Sequence, residues 1–383
     1  MGAFARCTGL TNVKISDSVK IIEQGTFYEC TSLESVAIPD GVTNIGVEAF
    51  ADCANLTSIV IPDSVTSIEG GGFLRCASLV NVIIGSSVTK IGAVAFKDCT
   101  SLTSITIPDK VTSIDWGLFW DCDNLTNVTI GRSVKSIDDN AFSGCKKLTE
   151  IIIPESVTSI GSAAFSDCKG LTDVTIPKSV SFIGSVAFKG CTGLTSVTIP
   201  NGVIGIGNHT FSDCIRLKDI VIPSSVINIG TYAFSGCTGL TSIKIPNSVT
   251  QIGERAFYGC TGLTDVTIPM SVKSIGSSSF ANCGGLESVE VMSGNSVFHS
   301  AGNCIIETKG KTLYLGCKNS VIPSNGSVTS IRTEAFSGCV GLADITIPKS
   351  VTSIGAEAFS GCVALSDITI PDSVISIGLE AFS

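Results

Sequence analysis

Histidine and tryptophan each occur only twice in the 383 residues, methionine three times, and charged residues make up 15%. Two imidazoles cannot build a His-rich metal site, and neither His209 nor His299 stands in a motif that would make it a base for a Cys nucleophile. Cations are also in the minority, with 24 Lys+Arg against 33 Asp+Glu and a net charge of −9. That balance argues against nucleic acid and anionic lipid as partners of the chain as a whole. Long apolar runs are missing even though hydrophobic residues reach 44%. The longest are pieces such as Val82-Ile83-Ile84 and Ile151-Ile152-Ile153, where about 20 apolar residues are needed to span a bilayer as a helix. No membrane insertion is expected, and no charged segment followed by an apolar one reads as a signal peptide. Nucleophile elbows, phosphate loops and paired carboxylate sets are absent too, so no catalytic residue, cofactor or metal ligand is assigned and no enzyme is expected.

What is abundant is glycine, 40 residues, and cysteine, 17, and both recur at one period. Cys7, Cys30, Cys53 and their successors to Cys283 stand 23 residues apart, and Cys339 and Cys362 resume the series. Sixteen of the 18 phenylalanines fall three residues before that cysteine column, from Phe4 to Phe382. Leu follows each Cys at +3, Val or Ile at +6, Ile or Val at +8, commonly Pro at +9, Val at +12, Ile at +15 and often Gly at +16. A period of this length is the mark of a solenoid, in which each turn buries its apolar side by stacking on its neighbours.

Within one turn, Val174 and Ile176 alternate with Asp173 and Thr175 ahead of Pro177, which predicts a strand with two faces. The same segment returns in the same direction each turn, so neighbouring strands pair in parallel. Proline cannot donate to the ladder and ends the strand. A second extended piece follows, such as Val157-Thr158-Ser159-Ile160, and then a segment with room for only a short helical turn, such as Ser162 to Cys168. Phe, Leu and Cys are expected to form internal spines.

The repeat Cys-x-x-Leu-x-x-Val/Ile-x-Ile-Pro-x-Ser-Val-x-x-Ile-Gly-x-x-Ala-Phe resembles the BspA-type (Treponema pallidum-type) leucine-rich repeat family over essentially the whole chain. The resemblance implies a repeat solenoid of leucine-rich-repeat type with 23-residue turns. It also implies a bacterial or protist protein that is extracellular or at the cell surface, often linked to adhesion.

One break interrupts the period, because Phe280 and Phe336 are 56 residues apart. The expected organisation is one continuous solenoid: regular repeats over 1–286, an elongated irregular repeat with a hairpin over 287–327, and regular repeats over 328–383. Val297 to Cys317 reads as two strands about a Gly310-Lys311 turn of type II′, protruding from the solenoid or serving as a binding device. A hairpin centred there would place Cys304 opposite Cys317 and make a disulfide geometrically available. The fifteen column cysteines are expected to be buried, reduced hydrophobes, because equivalent side chains on stacked turns point the same way and not at each other.

The outward +5 column is polar and turns acidic through Glu150, Asp173, Ser196, Asp219, Ser242 and Asp265; the +7 column beside it holds Thr175, Thr198, Val221, Lys244 and Thr267. Asp173, Asp219 and Asp265 are two turns apart, about 10 Å, too far to share a calcium ion. These eleven residues are the candidate partner-binding face, for a protein or glycan. The function this predicts is a non-enzymatic recognition or adhesion scaffold; the alternative is a structural spacer, or a segment that assembles end to end with itself. The matching phase of Gly2-Ala3-Phe4 and Ala381-Phe382-Ser383 suggests an excerpt of a longer solenoid or association through its ends.

Overall fold

The computed structural model describes residues 2–383 and divides into two compact units, Met1–Leu194 and Thr195–Ser383. Both are stacks of 23-residue turns. In the first, Asn12–Lys14 pairs with Ser35–Ala37, the strands Ser58–Ile61, Asn81–Ile84, Ser104–Thr106 and Asn127–Thr129 follow one another, and Glu150–Ile152 pairs with Asp173–Thr175. All pairs are parallel, and each residue faces the one 23 positions later, as in Asn12↔Ser35 and Val60↔Ile83. The sequence columns are therefore the ladders of the sheet. In the second unit Ser196–Thr198 pairs with Asp219–Val221 and Asp265–Ile268 with Ser288–Val291 in the same register.

A second ladder is made of two-residue strands on the Ser-Ile column, running from Ile21–Ile22 to Lys90–Ile91 and from Ser113–Ile114 to Phe182–Ile183 in the first unit. In the second it runs from Gly205–Ile206 to Ser274–Ile275. Between the two ladders the Ser of Pro-x-Ser-Val caps the turn: Ser64, Ser156 and Ser179 Oγ each donate to the Val carbonyl 22 residues earlier at 2.6–2.7 Å.

The expected short helical turns are not helices; none occurs among the described residues. The fifth and first residues before each Cys of the 23-residue column adopt left-handed φ, as Glu48 (53°) and Asp52 (61°) do before Cys53, and interrupt any right-handed run. Alternate N–H groups then turn outward to the next coil. Glu48, Phe50 and Asp52 donate to the carbonyls of Gly70, Gly72 and Leu74 at 2.8–3.0 Å, while Ala49, Ala51 and Cys53 donate three residues back. This third ladder satisfies the backbone that a helical turn would have satisfied internally.

The core is the set of spines. Phe rings stack at 5.1–5.8 Å from Phe4 to Phe188, and at 5.0–5.5 Å from Phe211 to Phe280, as offset pairs set by the strand spacing. The cysteines do more than fill space. Each thiol donates to the Phe carbonyl 26 residues earlier, at 3.0–3.2 Å from Cys30 to Cys191. Sixteen of the 17 cysteines are buried and all are free; Cys7 is exposed, contrary to the expectation for the full column.

The insertion lies in the second unit and is built into the stack rather than protruding. Three strands, Phe298–Ala301, Cys304–Glu307 and Thr312–Leu315, form an antiparallel meander whose last strand pairs in parallel with Ser330–Ile331, so it takes a place on the Ser-Ile ladder. Cys304, Ile306 and Leu313 join the core of the turns that follow. The first turn, Gly302-Asn303, was missed by the two-strand reading; both residues have φ of 58°, as a type I′ turn demands. At the second turn the left-handed residue is Lys311, not Gly310. The pairs are Glu307↔Thr312 and Ile306↔Leu313, shifting at a bulge to Ile305↔Leu315. That register is slipped from the one expected and does not bring Cys304 across from Cys317. Both thiols are buried and unbonded; Cys317 Sγ instead accepts from Asn303 Nδ2 at 3.0 Å.

Candidate functional site

Side chains at +5 and +7 point outward because those at +6 and +8 fill the core. In the first unit Glu150, Asp173 and Thr175 are exposed on adjacent rungs, with Glu150 beside Asp173 and Ile152 beside Thr175. Two carboxylates thus stand one strand spacing apart, and Ile152 is 82% exposed. In the second unit Ser196 lies beside Asp219 and Thr198 beside Val221, while Asp265 and Thr267 lie beside Ser288 and Glu290. Ser242 and Lys244 face outward between buried Ile243 and Ile245, but their rung makes no regular strand. The eleven candidates therefore occupy the outer sheet faces, three in the first unit and eight in the second. Asp265 Oδ2 accepts from Thr264 Oγ1 at 3.0 Å.

The chemistry of these faces is small polar groups alternating with exposed Val and Ile, on a backbone whose register never changes within a ladder. Among the described residues no group of three or more His, Cys, Asp or Glu is arranged to hold a metal. His209 stacks on Tyr232 at 4.7 Å, and His299 Nδ1 shares a 2.9 Å hydrogen bond with Thr308 Oγ1. The buried thiols with raised pKa are poor nucleophiles. Burial pushes Cys53 and Cys304 up to about 12 and Cys76 and Cys99 well above the ordinary thiol value, so the thiolate is scarce near neutral pH.

Sequence reasoning passed over one region of the first unit. The two tryptophans, Trp116 and Trp120, lie together, their rings edge to face at 5.7 Å, with Lys97 Nζ 3.7 Å from the centroid of Trp120. The signal was available: the chain's only tryptophans are four residues apart. A second cluster in the other unit joins Arg255 to the Tyr232 hydroxyl at 2.6 Å and to buried Glu334 at 3.6 Å.

Stacked parallel strands, a Leu spine and a 23-residue turn define a leucine-rich-repeat scaffold. The model of the BspA type leucine rich repeat region matches residues 1–123, 71–195, 182–304 and 307–383, and the chain belongs to that family. Among solved structures it is similar to a leucine-rich repeat protein from Bacteroides ovatus, at 28% identity and TM-score 0.68 over 99% of this chain and 86% of that one. It is also similar to a leucine rich cell surface protein from Faecalibacterium prausnitzii, at 33% identity and TM-score 0.50 over 74% of this chain and 88% of that one. No curated protein matches in sequence. Among the described residues no helix is long and apolar enough to cross a membrane.

Proposed function

We propose that the chain is a non-enzymatic recognition and adhesion scaffold of a secreted or cell-surface bacterial protein, engaging a protein or glycan partner through the outward columns of its parallel sheets. The observation that carries this reading is the contrast between inside and outside. Residues at +6 and +8 are Val or Ile in every regular turn and mostly buried, whereas +5 and +7 vary among Asn, Asp, Glu, Ser, Thr, Val, Ile, Ala and Lys on a repeating backbone. A regular solenoid holds such positions at fixed spacing, so exposed residues vary without disturbing the core. The likeness to a cell surface protein of Faecalibacterium prausnitzii supports the location.

The test is a protein and glycan array probed with the purified chain and with two variants, Asp173→Lys/Thr175→Lys in one unit and Asp219→Lys/Asp265→Lys in the other. A partner lost by at least one variant, with the fold intact by circular dichroism, supports the reading. A chain that binds nothing reproducibly acts as a spacer, and turnover in a broad hydrolase screen would make it an enzyme; either overturns the proposal.

A further inference from the structure

The first unit carries a groove away from its outer sheet face, on the Ser-Ile ladder and the turns that follow it. Its volume is about 350 Å³ and it is lined by Trp116, Asp138, Asp139, Ser159, Gly161 and Phe182. The rungs Ser113↔Ser136↔Ser159↔Phe182 set its length: three strand spacings, about 14 Å, separate its two ends. Trp116 stands at one end and Phe182 at the other, 45% and 57% exposed, and each is the only aromatic residue in its column of the repeat.

Two departures from the repeat make the groove unusual. At +16 the regular residue is glycine because a Cβ there would crowd the preceding turn: at Gly46, Gly92 and Gly161 it would lie 2.5–2.7 Å from a backbone nitrogen. In the first unit that position holds Glu23, Glu69, Asp115 and Asp138 instead. Glu69 is neutralised by Lys90 Nζ at 2.7 Å. Asp115 and Asp138 sit on consecutive rungs, Asp139 adjoins them, and none of the three forms an ion pair among the described residues. Asp139 Oδ1 accepts the Ser162 N–H at 2.6 Å, which fixes its carboxylate at the groove wall. Burial raises the Asp138 carboxyl above its ordinary range, and Asp115 and Asp139 add to the rise against an opposing hydrogen bond from Ser136. A ligand that brings positive charge would relieve that repulsion.

We infer that this groove binds a short basic peptide segment, with an Arg or Lys side chain laid on the Trp116 ring and its charge directed to Asp138 and Asp139, and an apolar residue against Phe182. The chain already uses this contact internally, since Lys97 lies on the ring of the neighbouring Trp120. A desolvated cation over an indole is among the stronger forms of this interaction. Fourteen ångströms is about four extended residues, enough for a peptide to reach both aromatic ends. A neutral sugar would also stack on the rings but would leave the Asp138 and Asp139 carboxylates unrelieved. This inference is independent of the sheet-face reading, because the groove uses none of the +5 and +7 residues.

Both tryptophans of the chain lie at or beside the groove, so intrinsic fluorescence reads it directly. The full chain is titrated with a blocked hexapeptide containing two arginines and one leucine, with its citrulline counterpart and with maltohexaose. Saturable quenching by the arginine peptide alone is expected. Asp138→Asn/Asp139→Asn should weaken it at least tenfold and Phe182→Ser several-fold, while Asp219→Asn/Asp265→Asn in the other unit leaves it unchanged. Calorimetry on the same variants gives a readout that does not depend on emission. Equal response to the citrulline peptide, preference for the oligosaccharide, insensitivity to the Asp138/Asp139 change, or no saturable change with any probe would each overturn the inference.

Discussion

Val94 and Val186 hold φ of 53° and 64°, a conformation that costs an L-residue roughly 1–2 kcal/mol and a β-branched one more. No other turn places a β-branched residue at the same column, where Gly, Glu, Asn, Ala, His, Tyr, Arg and Ser occur. Both valines are half-buried, so little packing is lost by changing them. Val94→Asn and Val186→Asn are expected to stabilise the first unit by about 0.5–1 kcal/mol each, since Asn tolerates the left-handed region; the check is a higher urea midpoint with unchanged slope. The cysteines illustrate the other residue-level lesson. Their burial was legible from the company of Phe and Leu, but not their hydrogen bonds, because a donor's target 26 residues away depends on how one turn sits on the last. A bulky thiol reagent applied to the folded, reduced chain should label Cys7 at once and the other sixteen only on unfolding. Rapid labelling of several thiols would show that the spine opens readily.

Among the elements, the two strand ladders were readable because their signal is periodic: alternating burial, proline at the strand end and a constant 23-residue offset that becomes the register. The third ladder was not, because its left-handed positions are filled as readily by Glu48, Asp52 or Tyr232 as by glycine, so no single residue type announces it. The insertion failed in a different way. Gly310-Lys311 looked like the turn, yet Glu307 Oε2 accepts the Gly310 N–H at 2.6 Å and closes a longer loop around it. A slip of two positions beside the turn, reduced to one past the bulge, was enough to move Cys304 out of line with Cys317, whereas Gly302-Asn303 between two short apolar runs was the turn signal to follow. Gly316 shows how the meander fits the stack. Its N–H donates to the Ala335 carbonyl at 2.9 Å, as a Phe does in a regular turn, but a Cβ there would fall inside the ring of Phe336. Gly316→Ala is therefore expected to destabilise the second unit by about 3 kcal/mol through overpacking, seen as a lower urea midpoint. Gly326→Ala is a control, because a Cβ there meets nothing within 4 Å. It tests whether space or backbone freedom decides, since Gly326 has φ of 80° and should lose only about 1 kcal/mol.

At the scale of the whole molecule the thiol spine sets the response to alkali. Burial raises the pKa of Cys30, Cys53, Cys76, Cys99, Cys122, Cys145 and Cys168 in the first unit, and of Cys237, Cys283, Cys304, Cys339 and Cys362 in the second. A group whose pKa is higher folded than unfolded keeps its proton at a pH where the unfolded chain has lost it. The folded state then binds more protons, and stability falls as pH rises. The contribution is complete below the ordinary thiol value near 9 and is lost as pH climbs toward the folded values, about 12 for Cys53 and Cys304. Each thiol held well above its ordinary value gives a slope of about 1.4 kcal/mol per pH unit, so the six from Cys53 to Cys168 in one unit give about 8, comparable with the entire stability of a typical domain, about 5–15 kcal/mol. Under reducing conditions the chain should hold its circular dichroism signal through neutral pH and unfold cooperatively between about pH 10 and 11. Replacing Cys76, Cys99 and Cys122 together by Ala separates this from the titration of lysines and tyrosines. The triple variant loses packing and three hydrogen bonds to Phe50, Phe73 and Phe96, so its urea midpoint at pH 7 falls. With three fewer ionising groups its stability declines less steeply above pH 9. The two stability curves should converge as pH rises, and parallel curves would show that the spine does not govern alkaline unfolding.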